Sequence, residues 1–466
     1  MAFVFYDTET TGISTDYDQI LQFAAIHTNE DLEELDRIEL RCRLHPHVVP
    51  HPGALRVTGM TIDRLLDASL PYHYEMVRQI RAKLSEWSPA VFVGYNSMRF
   101  DEHLLRQALF RTLHSPYLTN TGGNCRADAL PLVQAAAEFL PGSVAVPVGD
   151  NGKVSYKLDR LAPANGFAHA NAHDALADVE ATIHMARCVR ERAPESWSRF
   201  LRFATKAAAA SFVDEEEAFV LSEFYFNLPY HFALSAVGPN PDNPSAIVAF
   251  NLKFDPDWAA GLSDDDLRSW IASRAKPLRQ VRVNAAPCLS LADEVPTAFL
   301  GGLDLGTIQA RGARLRSNQA LRVRLLAALA DTAVVRDEAE HVEEQIYAGF
   351  PSSADQVLME RYHHADWPER VTIVEQLTDA RLRYHGRRLI HEERPDLLHA
   401  DVRQMVEAHL RDRLLMHEAP KGKWTSIPGG LSAAAEMLEG CDNQCNDMLA
   451  GYTAHFEELM GAYAGG

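Results

Sequence analysis

Four acidic residues and one histidine, in three short motifs, constrain the fold of this chain more than any other feature. Asp7 and Glu9 lie in FYDTETTG, Asp101 lies in GYNSMRFDEH, and His173 and Asp178 lie in NAHDALAD. Each motif lies where a predicted strand ends or a helix begins, the places where an α/β fold gathers its chemistry. Carboxylates brought together repel one another unless cations lie between them, and hard divalent cations prefer oxygen ligands. The pattern therefore predicts an α/β fold with a divalent-metal site, and a nuclease is the leading interpretation.

The bulk properties narrow the class of protein. The chain has 466 residues, enough for two or three domains, and its 47% hydrophobic and 23% charged content is typical of a soluble globular protein. No stretch approaches the roughly 18 to 20 apolar residues of a membrane helix, and the N-terminus lacks the basic flank of a signal peptide. The six cysteines are scattered and suggest no disulfide framework. We therefore expect no membrane association and a reducing, cytoplasmic location.

The net charge of −19 argues against a protein that coats duplex DNA by bulk attraction. Non-specific DNA affinity comes mainly from Lys and Arg that contact phosphates. A nuclease with this composition therefore needs a local basic track. The Arg-rich segment 381–394 is one candidate surface for a strand, and ordinary solvated helix charge is the alternative.

The chain changes character twice along its length. Residues 1 to about 195 alternate strands and helices, which predicts a mixed sheet with helices on both faces. After a hinge at 193–200, residues 211–300 contain β-branched and aromatic runs separated by Pro, Asn and Gly, which predicts a small curved antiparallel sheet or barrel crossed by one helix. From about residue 305 onward the pattern is helical.

The acidic residues each have an ordinary structural alternative. Asp7 and Glu9 are two apart at a strand end, so their side chains share one face, although Asp, Thr and Gly also form turns. Asp101 opens a helix, where Asp is a common capping residue. Asp178 lies one turn inside a helix that begins near Asp174. Taken together, the spacing favours a shared metal site over three separate structural roles.

His173 precedes the same helix and is the candidate general base. A lone histidine is more often structural, but the H-x-A-x-x-D spacing after D-x-E favours a catalytic role, and its reference pKa near 6.5 suits proton transfer at neutral pH. In the mechanism that we expect, Asp7, Glu9, Asp101 and Asp178 hold two Mg²⁺ ions, directly or through water. His173 then takes a proton from the attacking water, and a nucleoside 5′-monophosphate leaves.

Three further residues are candidates for substrate contacts. Lys157 in SYKLDRL could hold the scissile phosphate, or it could be a solvated surface residue. Arg106, on the helix after Asp101, could hold the strand's backbone. Tyr117 could stack on a base, since aromatic side chains accept any sequence, and core packing is the alternative.

The motifs DTETTG, FDEH and HDALAD resemble those of the DEDD superfamily of 3′–5′ exonucleases, in its histidine-bearing branch. Proofreading subunits, oligoribonucleases and RNA-trimming enzymes share these motifs. Longer stretches are similar to the bacterial exonuclease I family, which degrades single-stranded DNA from its 3′ end. They are PHPGALRVTGMT, VGYNSMRFDEHLLRQALFR, SYKLDRLAPANGFAHANAHDALADVEATIHMA and EEQIYAGFPSSAD.

The resemblance implies three domains. Residues 1–195 would form a ribonuclease H-like α/β exonuclease domain with a mixed sheet. Residues 196–340 would form an SH3-like β domain with a helical extension. Residues 341–466 would form an all-α domain that closes over the strand. This order agrees with the change in pattern along the chain.

The resemblance also implies site residues. The family's metal ligands fall on Asp7, Glu9 and Asp178, with Asp101 as the fourth acidic residue, and Glu9 also contacts substrate. Its active-site histidine falls on His173. Its DNA contacts fall on Arg106, Tyr117 and Lys157. At the position of Lys157 the family has Arg, whose planar guanidinium can make two hydrogen bonds to a phosphate, whereas the ammonium group of Lys acts as a single point charge.

The expected cofactor is a pair of Mg²⁺ ions, for which Mn²⁺ can substitute. The expected partners are single-stranded DNA and the single-stranded-DNA-binding protein, through its acidic tail, and the family implies a monomer that acts in DNA repair and recombination. Two alternatives stay open. One is an RNA-directed or proofreading 3′–5′ exonuclease, and the other is a single-strand-binding scaffold that does not cut.

Overall fold

The computed structural model describes residues 2–149, 152–168, 174–332, 339–439 and 441–464. Its first part is built on a five-stranded sheet with the strand order β3-β2-β1-β4-β5. Strands β1, β2 and β3 are antiparallel neighbours, whereas β4 and β5 run parallel to β1, so the predicted mixed sheet is confirmed. The strands are β1 (Phe3–Thr10), β2 (Ile20–Thr28), β3 (Glu34–Arg41), β4 (Val91–Gly94) and β5 (Cys125–Asp128).

Helices cover both faces of this sheet because β1 is apolar on both sides. Phe3 and Phe5 pack into a core shared with α5 and α7, and Val4 and Tyr6 pack into a second core with α3 and α4. The helices of this part are α1 (Pro52–Thr58), α2 (Ile62–Leu65), α3 (His73–Glu86), α4 (Asp101–Arg111), α5 (Ala129–Phe139), α6 (Leu158–Ala164), α7 (Ala175–Arg192), α8 (Pro194–Phe203) and α9 (Lys206–Glu215).

A second five-stranded sheet follows, with the order β10-β6-β7-β8-β9 and antiparallel pairing throughout, as the sequence predicts for 211–300. Two helices, Pro256–Ala260 and Asp264–Ala272, lie between its strands where the sequence predicts one, and the helices after residue 305 agree with the predicted helical region. Its elements are β6 (Phe219–Tyr225), β7 (Leu228–Asn240), β8 (Asn243–Asn251), α10 (Pro256–Ala260), α11 (Asp264–Ala272), β9 (Leu278–Arg282), β10 (Cys288–Leu291), α12 (Leu305–Ser317) and α13 (Gln319–Asp331).

The C-terminal part is helical and docks on the first part through two apolar clusters. Leu44 and Leu55 pack with Ile427 and Tyr452 in one cluster, and Tyr74 packs with helices α14 to α16 in the other. The Tyr452 hydroxyl donates a hydrogen bond of 3.0 Å to the Pro50 carbonyl. The helices are α14 (Ser353–His364), α15 (Trp367–Gln376), α16 (Ala380–Glu393), α17 (Ala400–Leu415), α18 (Ile427–Met437) and α19 (Asn443–Ala464).

The cysteines and the hydropathy of the helices add two facts. Cys441 and Cys445 are joined by a disulfide at the start of α19, a local bridge where the sequence suggested no disulfide framework. The other cysteines are free thiols, at positions 42, 125, 188 and 288. Across the described ranges, no helix combines the length and apolar character needed to cross a bilayer.

Candidate active site

Side-chain alternation along β1 places two carboxylates on one face of the sheet. Asp7 and Glu9 follow Phe3 and Phe5 in the two-residue period of the strand, so they point to the side on which α7 packs. Asp178 lies in the first turn of α7. One carboxylate oxygen from each of Asp7, Glu9 and Asp178 lies within 4.8 Å of the others. The structure therefore brings together residues that are about 170 positions apart in the sequence.

Asp101 approaches the same region from the other face of the sheet. It is the first residue of α4, it is buried, and its Oδ1 accepts a hydrogen bond of 2.6 Å from the Thr8 hydroxyl. Thr8 follows Asp7 in β1, so its side chain points to the opposite face of the sheet, on which α4 lies. The group of carboxylates within 4.8 Å comprises Asp7, Glu9 and Asp178 without Asp101. Asp101 is thus an adjacent carboxylate, positioned by Thr8.

The carboxylates perturb one another strongly. Burial raises the pKa of Asp7 well above its ordinary value, and the charges of Asp101, Asp178 and Glu9 raise it further. Burial, followed by Asp178 and Asp101, raises the pKa of Glu9 to about 8. Burial also raises the pKa of Asp101 to about 7, against the hydrogen bond from Thr8. Such shifts mark a concentration of negative charge that a bound cation would compensate.

A pair of hard divalent cations fits this donor set. The three converging side chains supply only carboxylate oxygens, the ligands that Mg²⁺ and Mn²⁺ prefer. Beside them, Asp174 caps α7 by accepting the N–H of Ala177, and it pairs with Arg41 at 2.9 Å. Asp174 therefore has partners of its own outside the group of converging carboxylates.

His173 lies outside the described residues, so its expected role as general base stays a prediction. It directly precedes Asp174, the N-cap of α7. Lys157 is exposed at the N-cap of α6, where its backbone N–H contacts the Ser155 hydroxyl at 3.4 Å.

Arg106 lies in a buried network, whereas the sequence suggested a residue that holds the strand directly. Its Nε donates to Glu102 at 2.7 Å and its guanidinium donates to Asn120 at 3.0 Å. Glu102 also pairs with Arg126 at 3.0 Å. The guanidinium of Arg106 is 5.5 Å from the centre of the Tyr117 ring. Arg106 therefore supports Tyr117 from the protein side.

Two exposed aromatic residues that the sequence did not single out lie beside Tyr117. The Phe350 ring is 5.4 Å from the Tyr117 ring, and Phe350 is 78% exposed. Tyr347 is 51% exposed, and its hydroxyl is 3.4 Å from His103 Nδ1. Aromatic residues in the Gly-containing segment YAGF were the available sequence signal.

The Arg-rich segment 381–394 forms most of α16, and three of its arginines lie in ion pairs with protein carboxylates, which is neither a strand-facing surface nor the solvated helix charge that was the alternative. Arg381 pairs with Asp379 at 2.6 Å, Arg387 pairs with Glu375 at 2.6 Å, and Arg388 lies 3.5 Å from Glu343. These charges stabilise contacts among the helices. We therefore assign no strand-facing surface to this segment.

Comparison with known proteins agrees with this geometry. A family model described as exonuclease, RNase_T, matches residues 4–186. Exodeoxyribonuclease I of Haemophilus influenzae is 30% identical over 372 residues, which cover 76% of this chain and 78% of the relative. A moderately thermophilic exonuclease I from Methylocaldum szegediense superposes with a TM-score of 0.83 at 26% identity, over 98% of this chain and 99% of that one. Escherichia coli exonuclease I in complex with a dA16 oligonucleotide gives a TM-score of 0.83 at 24% identity, with the same coverage.

The fold and the carboxylate site define a nuclease of the divalent-metal-dependent exonuclease class. Within that class, the chain belongs to the exodeoxyribonuclease I family. The prediction of a 3′–5′ exonuclease that acts on single-stranded DNA is therefore confirmed at the level of the family.

Proposed function

We propose that this chain hydrolyses the 3′-terminal phosphodiester of single-stranded DNA and releases nucleoside 5′-monophosphates. The observation that carries the proposal is the convergence of Asp7, Glu9 and Asp178 to within 4.8 Å at the end of β1. Membership of the exodeoxyribonuclease I family supports the choice of DNA.

The proposed cofactor is a pair of Mg²⁺ ions, for which Mn²⁺ can substitute. Asp7, Glu9 and Asp178 would hold the two ions. Asp101, which is held in place by the hydrogen bond from Thr8, would contact them through water. When bound, the pair of cations stabilises charge on both the attacking and the leaving oxygen of the phosphodiester. Glu9 would also contact the terminal nucleotide, because it is the carboxylate furthest along β1 towards the strand end.

The remaining steps fall to side chains around the N-terminus of α7. His173 would accept the proton of the attacking water, and Asp174 beside it fixes the start of the helix. The N-terminus of a helix is locally positive and favours phosphate. Lys157, exposed and next to Ser155, would contact the scissile phosphate from the other side.

The proposed path of the strand crosses the aromatic residues beside α4. Tyr117, Tyr347 and Phe350 offer faces on which bases can stack, with Arg106 supporting Tyr117. Stacking is worth roughly 1–3 kcal/mol per base and accepts any sequence. A direct contact of Arg106 with the backbone of the strand remains a prediction from the family.

The biological assignments rest on family membership. We propose that the chain acts as a monomer in DNA repair and recombination, in the cytoplasm where its DNA substrate lies. We also propose an interaction with the acidic tail of the single-stranded-DNA-binding protein. The proposed domain limits are 1–195, 196–340 and 341–466, with an SH3-like fold for the second.

Cleavage of end-labelled oligonucleotides tests these assignments together. We expect shortening from the 3′ end of single-stranded DNA, release of 5′-mononucleotides, little action on duplex, and no activity after chelation of divalent metal. Faster turnover of a matched RNA oligomer would favour the RNA-directed alternative. Strand binding with no cleavage in the presence of Mg²⁺ or Mn²⁺ would favour a scaffold that does not cut.

A further inference from the structure

A second group of metal-ligating side chains lies inside the molecule, away from the catalytic carboxylates. It lines a cavity of about 80 Å³ between the first part of the chain and the C-terminal helices. His45 and His47 come from the segment between β3 and α1, and Glu392 comes from α16. The side chains of these residues are at most 10% exposed. Nothing in the proposed exonuclease reaction uses them.

The three ligand atoms have the spacing of a metal site. His45 Nδ1 is 3.6 Å from Glu392 Oε2, and His47 Nε2 is 3.3 Å from Glu392 Oε1. One ligand atom from each residue lies within 4.8 Å of the others. Tetrahedral Zn²⁺ with ligands at about 2.0–2.1 Å separates its ligand atoms by about 3.3 Å. The contact of His47 with Glu392 Oε1 equals this separation, and the contact of His45 with the other carboxylate oxygen is 0.3 Å longer.

Ordinary ion pairing accounts less well for the same contacts. Charge-assisted hydrogen bonds between nitrogen and carboxylate are usually about 2.7–2.9 Å long, and both contacts are longer. Burial, followed by the charge of Arg388, lowers the pKa of His45 to about 3 and that of His47 well below its usual range. Neutral imidazole is the form that binds metals, and the near-complete burial of both side chains favours it.

The arginines near Glu392 do not supply a positive charge on the side of its carboxylate that faces His45 and His47. Arg388 is 3.9 Å from Glu392 Oε1, but it also lies 3.5 Å from Glu343, which Arg413 holds at 2.6 Å. The carboxylate thus remains short of positive charge.

His73 supplies an independent observation. It is 5% exposed, it lines the same cavity, and its ring lies edge-on to His45 at 5.2 Å. Its Nε2 is buried and has no hydrogen-bond partner among the described residues. Buried polar atoms usually have a partner, and other buried atoms on this cavity, among them the Tyr17 hydroxyl and His385 Nε2, also have none among the described residues. A solvent molecule in the fourth position of a tetrahedral site would be a suitable partner.

We infer that His45, His47 and Glu392 form a binding site for a transition-metal cation, with Zn²⁺ the best match to two imidazoles and one carboxylate. Mg²⁺ is disfavoured, because it prefers an all-oxygen set. The site joins the segment after β3 to α16, so the cation cross-links the exonuclease sheet to the C-terminal helices. Its role is structural and differs from that of the catalytic cations.

Zinc binding at this site can be measured once substitutions have removed metal binding by the converging carboxylates. The parent is the tag-free 466-residue chain carrying Asp7→Asn and Asp178→Asn, stripped of metal with a chelator and then incubated with excess Zn²⁺. We expect it to retain about one equivalent of Zn²⁺ after desalting. Adding Glu392→Gln or His47→Gln should weaken Zn²⁺ binding at least 100-fold, whereas the exposed control His364→Gln should leave it unchanged.

Two results would overturn the inference: a parent that retains no Zn²⁺, or zinc retention that survives both Glu392→Gln and His47→Gln. X-ray absorption of the zinc-loaded parent gives an answer that does not depend on how the variants fold. Scattering from two imidazoles with oxygen at about 2.0–2.1 Å is expected. A sulfur shell at about 2.3 Å would instead place the metal on cysteine and contradict the site.

Discussion

The Thr8 hydroxyl and the Asp101 carboxylate are joined by a hydrogen bond of 2.6 Å that links β1 to the first residue of α4. The bond lies on the face of β1 opposite to Asp7 and Glu9, and both partners are buried. It places a fourth carboxylate near the metal-binding group without including it in that group. The position of Asp101 therefore depends on a residue that is itself no metal ligand.

Thr8→Val removes this hydrogen bond while it keeps the shape of the side chain. Asp101 would lose a buried donor at a cost of about 1–3 kcal/mol, and its pKa would rise further, since the bond from Thr8 lowers it. We expect turnover to fall about tenfold at neutral pH, with partial recovery at higher pH. The pH dependence of 3′-nucleotide release measures this.

Thr58→Val is the matched control, because the Thr58 hydroxyl donates to the carbonyls of Ala54 and Leu55 within α1. Its pH profile should be that of the unmodified enzyme. A Thr8→Val enzyme with an unaltered profile would show that Asp101 does not take part in the reaction.

Asp178→Asn should reduce turnover by roughly three orders of magnitude or more, because it removes one of three converging carboxylates and with it cation binding. Affinity for a single strand, measured by fluorescence anisotropy without divalent metal, should change less than about threefold. Glu180→Gln, on the same helix and paired with Arg37 at the surface, is the control and should retain full activity. Normal cleavage by Asp178→Asn would remove the site assignment.

The metal-free enzyme should lose stability as the pH rises. The pKa of Glu9 is raised to about 8 in the folded chain, from an ordinary value of 4.5. The folded state therefore binds this proton more tightly than the unfolded state does. The contribution of the proton to the free energy of unfolding is complete below pH 4.5 and is lost as the pH rises through about 8. The expected difference is on the order of a few kcal/mol.

Urea unfolding in the presence of a chelator, compared between pH 5 and pH 9, checks this dependence. Glu9→Gln should flatten it, and so should saturating Mg²⁺, which compensates the ionised carboxylates. A stability that is equal at both pH values in chelator would mean that Glu9 ionises normally.

Phe350→Ala should weaken binding of single-stranded DNA by roughly 1–3 kcal/mol, the value of one stacked base. We expect a higher KM and little change in kcat, because the ring lies beside Tyr117 and away from the carboxylates. Phe226→Ala is a matched control, since Phe226 is 96% exposed in the turn between β6 and β7. Equal affinities for the two variants would place the strand elsewhere.

Local periodicity was enough to predict that Asp7, Glu9 and Asp178 converge. A two-residue spacing at the end of an apolar strand fixes the shared face of Asp7 and Glu9, and a position one turn inside a helix fixes Asp178. The mixed sheet, the antiparallel second sheet and the helical C-terminal part follow from patterns of the same kind. These features depend on neighbours in the sequence, so the sequence alone shows them.

Contacts between segments that are distant in the sequence could not be predicted from local periodicity. EEQIYAGF was expected to be helical, but only a short 3₁₀ turn at Val342–Gln345 forms, and the rest presents Tyr347 and Phe350 to solvent. The burial of Arg106 depends on Asn120 and Glu102. Likewise, no local pattern relates His47 to Glu392, because α16 reaches that histidine only through the packing of the C-terminal helices.

The docking of α17 to α19 on residues 44–65 has a practical consequence. Leu44, Leu55 and Ile62 are buried largely by Leu414, Ile427 and Tyr452, which belong to the last third of the chain. A fragment that ends near residue 195 would keep all four candidate carboxylates. It would also expose the apolar surface formed by Leu44, Leu55 and Ile62. We expect such a fragment to aggregate, so the nuclease cannot be reduced to the segment that carries its chemistry.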